Sequence, residues 1–300
     1  MESGLRFAAV DIGSNAVRLF FGYVFETRKK SVFKKASLIR IPIRMGEDSF
    51  HKKPIQAKKI DELIDAMHAF KHLMKSYKVI DFRVCATSAM RDASNGHQVI
   101  NRVKKETGIE IELIDGDTEA SLIYGNHIAE DLDADEAYIY MDVGGGSTEF
   151  TLYRDGGKIK ARSFNIGTIR LKDDLVKEEQ WQKLKNWLQE IRKSYRPKYI
   201  IGSGGNINTL FKLSEQREMK PMSMDQIKSW HRKLKVLSYD EKISKLGLRP
   251  DRADVILPAT ELFLFALSKS GCKSVIVPKV GLVDGIVHDL YNKHLRAQEV

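Results

Sequence analysis

The segment MDVGGGSTEF, residues 141–150, concentrates more chemistry than any other stretch of the chain. Three consecutive glycines, Gly144, Gly145 and Gly146, open backbone conformations closed to other residues and let amide N–H groups approach an anion closely. Ser147 and Thr148 add hydroxyl donors, so the segment suits phosphate; a plain glycine turn is the competing explanation. Asp142 sets a carboxylate beside the turn, where Mg²⁺ can link it to phosphate oxygens, often through water. No Gly-Lys-Ser/Thr follows, so this is not a Walker loop.

Two further turns have related chemistry. Asp11-Ile12-Gly13-Ser14-Asn15 repeats the acid, glycine and hydroxyl grouping on a smaller scale, and gains meaning as one of a pair. Gly202-Ser203-Gly204-Gly205-Asn206 lies between a strand and a helix, where backbone N–H groups at the helix start are ready for an anion; close strand–helix packing explains the glycines equally well. Thr87, Ser88 and Arg91 leave another strand, offering hydroxyls and one guanidinium for phosphate oxygens, or simply a helix cap. Glu119 stands near a helix start after Asp115 and Asp117; acids there favour the helix dipole, and spacing alone leaves its role open. The eight histidines form no metal pattern, and His68 and His72 read as an exposed helix face.

The elements that position these groups follow from periodicity. Residues 6–11, 16–25 and 32–43 read as three successive strands, and 55–77 as an amphipathic helix through Ile60, Leu63, Ile64, Met67, Phe70, Leu73, Met74 and Tyr77. Strand 82–87, helix 97–106, strand 109–114 and helix 118–131 complete a βββαβαβα order. Strands 136–142, 147–154 and 158–165, with Asp155-Gly156-Gly157 as a hairpin turn, a long helix through Trp181 to Ile191, and strand 198–205 repeat that order. Helices around 206–215, 223–237, 238–246 and 251–270 then precede strand 274–278 and a closing helix over 281–296. The expected architecture is α/β: duplicated domains over 1–130 and 131–300 with a cleft between the paired turns, the closing helix being free to pack back on the first domain.

Composition narrows the function classes. Three hundred residues with 42% hydrophobic and 30% charged side chains describe an ordinary globular chain. The net charge of +10 favours a polyanionic partner, and eleven Lys and Arg against Glu47 and Asp48 fall within residues 28–59. A solvated surface face is the alternative for that segment. Cys85 and Cys272 lack a CxxC spacing, no basic n-region with an apolar run opens the chain, and the apolar stretch 255–267 contains Pro258 and Glu261. A cytoplasmic protein without zinc, disulfides or a membrane span is expected.

Taken together, DIGSNAVRL (11–19), RMGE (44–47), ATSAMRDASN (86–95), DGDTEASLIYGN (115–126), DVGGGSTEF (142–150), GSGGNINTL (202–210), LRPDRADVI (248–256) and GLVDGI (281–286) resemble, in order, the exopolyphosphatase and guanosine-pentaphosphate phosphatase family (Ppx/GppA). The resemblance covers nearly the whole chain. It implies the actin-like fold of the acetate and sugar kinase/Hsp70/actin superfamily, and Mg²⁺-dependent removal of terminal phosphate from inorganic polyphosphate or from guanosine pentaphosphate; Mn²⁺ is the alternative ion. It assigns Glu119 as general base and Asp142 to metal binding, with Asp11 and Glu149 as further carboxylates for the ion. Gly13, Ser14, Asn15, Arg91, Gly144, Gly145, Gly146, Ser147, Thr148, Gly204 and Gly205 are the expected phosphate-binding set. Longer family members carry added C-terminal helical domains, so processive attack on very long chains is not implied. No nucleic acid or membrane partner is expected, and a homodimer is compatible with the reading. Two other classes share the paired turns: an actin-like kinase or ATPase, which needs an adenosine pocket, and a non-enzymatic polyphosphate or alarmone sensor.

Overall fold

The structure is a computed structural model that describes residues 4–27, 31–124, 133, 135–155, 157–217, 219–278 and 280–298. The chain divides into two compact units, Met1–Asn126 with Val280–Val300, and His127–Lys279.

In the first unit β1 (Leu5–Ile12), β2 (Val17–Glu26) and β3 (Ser31–Ile41) form an antiparallel meander. β4 (Asp81–Ala86) pairs parallel to β1, and β5 (Glu112–Leu113) parallel to β4, so the sheet order is β3-β2-β1-β4-β5. β1 is internal and covered on both faces, which is why Phe7 to Val10 form an unbroken apolar run. Helices α1 (Gly46–Ser49), α2 (Ala57–Ser76), α3 (Ser88–Asp92), α4 (Gly96–Thr107) and α5 (Gly116–Tyr124) link the strands. α2 buries Leu63, Ile64, Met67, Phe70 and Met74, the stripe its period requires. The expected strand over 109–114 is two residues long: the Ile109 N–H turns to Thr107 Oγ1 at 3.1 Å, and Glu112 and Leu113 are in register with Cys85 and Ala86 of β4. The expected helix over 118–131 is present as far as Tyr124, and its remainder lies outside the described residues.

The second unit repeats the plan. β6 (Tyr138–Val143), β7 (Thr148–Arg154) and β8 (Gly157–Phe164) form the meander, followed by α6 (Thr168–Lys172), α7 (Glu178–Tyr195), β9 (Tyr199–Ser203) and α8 (Gly205–Leu213). β10 (Met222–Ser223), α9 (Met224–Val236), α10 (Tyr239–Leu246), α11 (Pro250–Ala253), α12 (Ile256–Ser270) and β11 (Ser274–Ile276) complete a sheet ordered β10-β11-β9-β6-β7-β8. The order 3-2-1-4-5 thus recurs as 8-7-6-9-11, and the α/β class expected from the sequence is found. Phe150, Phe164 and Trp187 form the aromatic centre of this core, with the two phenylalanine rings edge to face at 5.7 Å.

Two differences have clear causes. The helix expected over 251–270 is broken into α11 and α12, because Pro258 has no N–H for the Asp254 carbonyl and its ring crowds that group. The helices α1, α3 and α6, of four or five residues, are too short to show a period. Gly156 of the expected hairpin turn lies outside the described residues; the adjoining Asp155 has a φ of 53°.

α13 (Leu282–Gln298) belongs to the first unit, where it packs on β1, β2, β4 and α5. The Phe7 ring meets Tyr291 edge-on at 6.3 Å. Among the described residues no helix is long and apolar enough to cross a membrane.

Candidate active site

The glycine turn of the second unit is held from one side. Gly144 N–H closes it on Ser147 O at 3.0 Å. The start of α6 then takes the carbonyls: Thr168 N–H donates to Gly144 O at 3.0 Å, Ile169 N–H to Gly145 O at 2.9 Å, and Arg170 Nε to Gly146 O at 2.8 Å. In a planar trans peptide the N–H points opposite to the C=O. Pinning those three carbonyls toward α6 therefore turns the N–H groups of Gly145, Gly146 and Ser147 the other way, as an anion nest requires. Gly167 permits this contact, since a Cβ there would lie 2.4 Å from backbone atoms of Gly145 and Gly146. Thr148 is different. Its buried hydroxyl donates to Ile166 O at 2.5 Å and so serves the fold.

Around this turn the sheet arranges carboxylates. Asp142 and Glu149 are direct cross-strand partners, so their side chains share a face of the sheet. Glu149 is buried and accepts a 2.9 Å hydrogen bond from Ser163 Oγ, while Asp142 is half-buried. Gly204, at φ 104° and ψ 157°, lies in a region open essentially to glycine alone, and a Cβ there would sit 2.7 Å from Val143 O and 3.2 Å from Asp142 Oδ1. The N-terminus of α8 can thus descend onto the end of β6. The Arg252 guanidinium lies against Gly205, where it donates to Asn206 Oδ1 at 3.2 Å.

The first unit builds the same device with different charges. Gly13 N–H closes its turn on Ala16 O at 3.1 Å, while Gly46 N–H takes Ser14 O at 2.9 Å and Arg44 N–H takes Asn15 O at 3.3 Å. The N–H groups of Asn15 and Ala16 are again directed to the opposite side. Residues 44–47 therefore have the task that the start of α6 has in the second unit. Ser14 Oγ and Ser88 Oγ are 2.9 Å apart and buried, and Thr87 makes no side-chain cap on α3, so the capping explanation for these hydroxyls does not hold.

Here the strand-end acid faces a base. Arg18 Nη1 lies 2.6 Å from Asp11 Oδ2, and Arg40 stands across from Arg18 on β3, giving the row Asp11, Arg18, Arg40 on one face. Burial nevertheless raises the Asp11 carboxyl above its ordinary value, outweighing the two neighbouring cations. Asp11 is also in register with Cys85, whose thiol is pushed up to about 12 by burial, with the charges of Glu112, Asp11 and Glu119 adding to the effect. Glu119, half-buried on α5, therefore belongs to the electrostatic surroundings of the β1 and β4 ends. Asp115 is the cap of α5: its Oδ1 accepts the Thr118 N–H at 2.7 Å, and hydrogen bonds from Thr118 lower its pKa. Arg91 Nη1 donates to Ile114 O, which fixes the guanidinium beside the start of α5.

Sequence reasoning did not single out Arg18, Arg40, Arg170 or Arg252. For Arg18 a signal existed: counting outward from the Gly13–Ala16 turn places it opposite Asp11. The same count places Glu149 opposite Asp142. Arg252 had none, since it reaches Asn206 from 46 residues away.

The model of the Ppx/GppA phosphatase family matches residues 24–294. The chain belongs to that family. It is 28% identical over 310 residues to the bifunctional 3-dehydroquinate synthase/phosphatase of Fusobacterium nucleatum, covering 95% of this chain and 47% of the relative. It is 29% identical over 196 residues to exopolyphosphatase 1 of Mycobacterium bovis, covering 61% and 54%. The chain spans about half the length of these curated relatives. Among solved structures, the Aquifex aeolicus Ppx/GppA family member superposes with a TM-score of 0.76 at 26% identity over 97% of this chain and 98% of that one. An exopolyphosphatase from Cytophaga hutchinsonii superposes with a TM-score of 0.83 at 23% identity over 96% and 98%.

Members of this family invite the question of a metal. Among the described residues no group of three His, Cys, Asp or Glu side chains could hold one. Asp142 and Glu149 nevertheless fit Mg²⁺, which is commonly bound by one or two carboxylates together with water and substrate phosphate. Asp11 fits less well, because Arg18 already holds its carboxylate.

Proposed function

We propose that this Ppx/GppA chain hydrolyses terminal phosphoanhydride bonds, with inorganic polyphosphate as first substrate and guanosine pentaphosphate as second. The observation that carries the reading is the duplicated turn: in each unit neighbouring backbone pins the turn carbonyls and directs amide N–H groups away from them, beside a strand-end carboxylate. Family membership and the names of two relatives, the exopolyphosphatase of M. bovis and the guanosine-5′-triphosphate,3′-diphosphate pyrophosphatase of Photobacterium profundum (21% identical over 300 residues), support it.

Phosphoryl transfer to water asks little covalent work of a protein; it asks for position and charge stabilisation. In the second unit the amides of Gly145, Gly146 and Ser147 offer donors to phosphate oxygens, and in the first unit those of Asn15 and Ala16 do the same. Gly13 and Ser14 shape the first-unit turn, Arg91 offers its guanidinium to phosphate from beside the start of α5, and Gly204 and Gly205 bring the α8 N-terminus close to the end of β6 in the second unit. Glu119 orients the attacking water and accepts its proton. Asp142 and Glu149 would hold Mg²⁺, which would supply charge neutralisation at phosphate oxygens. In this reading Asp11 positions Arg18 rather than binding the metal, and Thr148 braces the turn. The free thiols Cys85 and Cys272 suit a reduced cytoplasmic setting.

The deciding experiment compares Mg²⁺-dependent phosphate release from tripolyphosphate, long polyphosphate and guanosine pentaphosphate, with Glu119→Gln as the blank. Release from a phosphate chain above that blank supports the reading. Release from none of the three would instead make the protein a binding module.

A further inference from the structure

Away from these turns, the first unit holds a pocket of about 140 Å³ between the β2–β3 ribbon and α13. Its origin is local. A Cβ on Gly22 would lie 2.8 Å from Val287 Cγ1, so the glycine lets the helix settle close to the sheet, and larger neighbours leave a gap beside it. Gly22 is in register with Lys35, and Val24 with Phe33, which places Phe33 and Lys35 on the face that α13 covers. The Phe33 ring lies flat against His288 of α13, with centroids 3.6 Å apart and planes 17° from parallel. Phe20 is a further wall, under the Lys35 ammonium at 5.8 Å.

At the edge of these rings stands an ion pair. Lys35 Nζ is 2.7 Å from Asp284 Oδ1, and Asp284 Oδ2 accepts the Gly281 N–H at 2.9 Å. An ammonium has three donors and each carboxylate oxygen more than one acceptor site, so the pair presents a donor and an acceptor side by side. An engineered cavity of about 150 Å³ is known to admit one benzene ring. The space here therefore suits one six-membered ring.

We propose that this pocket binds a pyrimidine base, presented as a nucleoside. Uracil offers a carbonyl oxygen next to a ring N–H, and cytosine an amine next to a ring nitrogen; either edge satisfies Lys35 and Asp284 together while the ring packs among Phe20, Phe33 and His288. A phenylalanine or tyrosine ring from a partner protein lacks that paired edge and would leave the ion pair desolvated without compensation. The proposal is independent of phosphate hydrolysis, because a nucleoside carries no phosphate for the glycine turns.

Calorimetric titration of the full chain with uridine, cytidine and ribose tests it. Uridine and cytidine bind and ribose does not. Lys35→Met weakens nucleoside binding by about tenfold through loss of a charged hydrogen-bond donor. His288→Ala weakens it through loss of the stacked wall, and the two variants keep wild-type phosphate release. Absence of binding at millimolar nucleoside overturns the proposal, as does equal affinity for ribose or for guanosine, or an affinity that neither substitution alters.

Discussion

Asp11 and Arg18 face each other across the β1–β2 ladder with Nη1 and Oδ2 2.6 Å apart, while the corresponding positions of the β6–β7 ladder hold two acids, Asp142 and Glu149. The duplicated scaffold thus carries an Asp–Arg ion pair beside its first glycine turn and two carboxylates beside its second.

The Asp11 pair leads to a pH prediction. Burial raises the Asp11 carboxyl above the ordinary 3.8 in spite of Arg18 and Arg40. A folded-state pKa above the unfolded one means that the folded chain binds more protons in that interval, so the stability from this group is present at low pH and lost as pH rises through the folded value. Asp11→Asn removes that loss. Its unfolding free energy, measured by urea denaturation, should gain on the wild type from acid toward neutral pH; a constant or shrinking difference would rule out the raised carboxyl.

Glu119→Gln should lower phosphate release by about 10²–10⁴-fold, the range for loss of a positioned general base. The melting temperature and the affinity for tripolyphosphate should stay near those of the wild type. Wild-type turnover would remove Glu119 from the chemistry.

Glu149→Gln keeps the length of the side chain and its capacity to accept from Ser163, yet removes the charge. Outer partners of a metal ligand are worth about 10–100-fold in affinity, so loss of a ligand should raise half-saturating Mg²⁺ by at least that much. Asp142→Asn should act in the same direction. A magnesium titration superimposable on the wild type for either variant refutes that variant's place in the metal set.

Gly167→Ala forces a Cβ to within 2.4 Å of the Gly145 and Gly146 backbone, which cannot move as a side-chain end can. Separating α6 from the turn should cost about 1–3 kcal/mol, as overpacking usually does. Activity should fall with it, because the pinned carbonyls are what orient the amides. Gly247→Ala is the control: its φ of 64° is strained for alanine, but no atom stands within 4 Å, so it should cost only about 1 kcal/mol and leave activity intact. Equal effects on turnover would disprove the pinning argument.

Lys52, Lys53 and Lys58 are exposed, whereas Lys59 is tied to the Arg44 carbonyl and to Glu47 and Asp48. If the first three line the path of a phosphate chain, reversing their charges should weaken polyphosphate binding by about tenfold, each exposed charge contributing at most about 1 kcal/mol. The loss should shrink in high salt. An unchanged affinity makes the basic segment a solvated face.

Much of this was legible along the chain. The buried faces of α2 and α7 follow from a 3.6-residue period, β1 from an unbroken apolar run, and the duplication from Asp-x-Gly turns placed alike in two halves. These are local signals, in which each residue reports on neighbours a few positions away. The short helices α1, α3 and α6 left no such signal, and the break before α12 depended on reading Pro258 as a first-turn residue of a new helix rather than as the interior of one running from residue 251.

The sequence alone established which residue types were available at the turns, because glycine, acid and hydroxyl chemistry is carried by the side chains themselves. Only the tertiary structure decided their work. It turned the amides of both loops outward by pinning their carbonyls with α6 and with residues 44–46. It retained the Thr148 hydroxyl for Ile166, and it set Arg252 against Gly205. Each of these relations joins backbone or side-chain groups distant along the chain, and their separation in space is fixed by packing rather than by any spacing of letters.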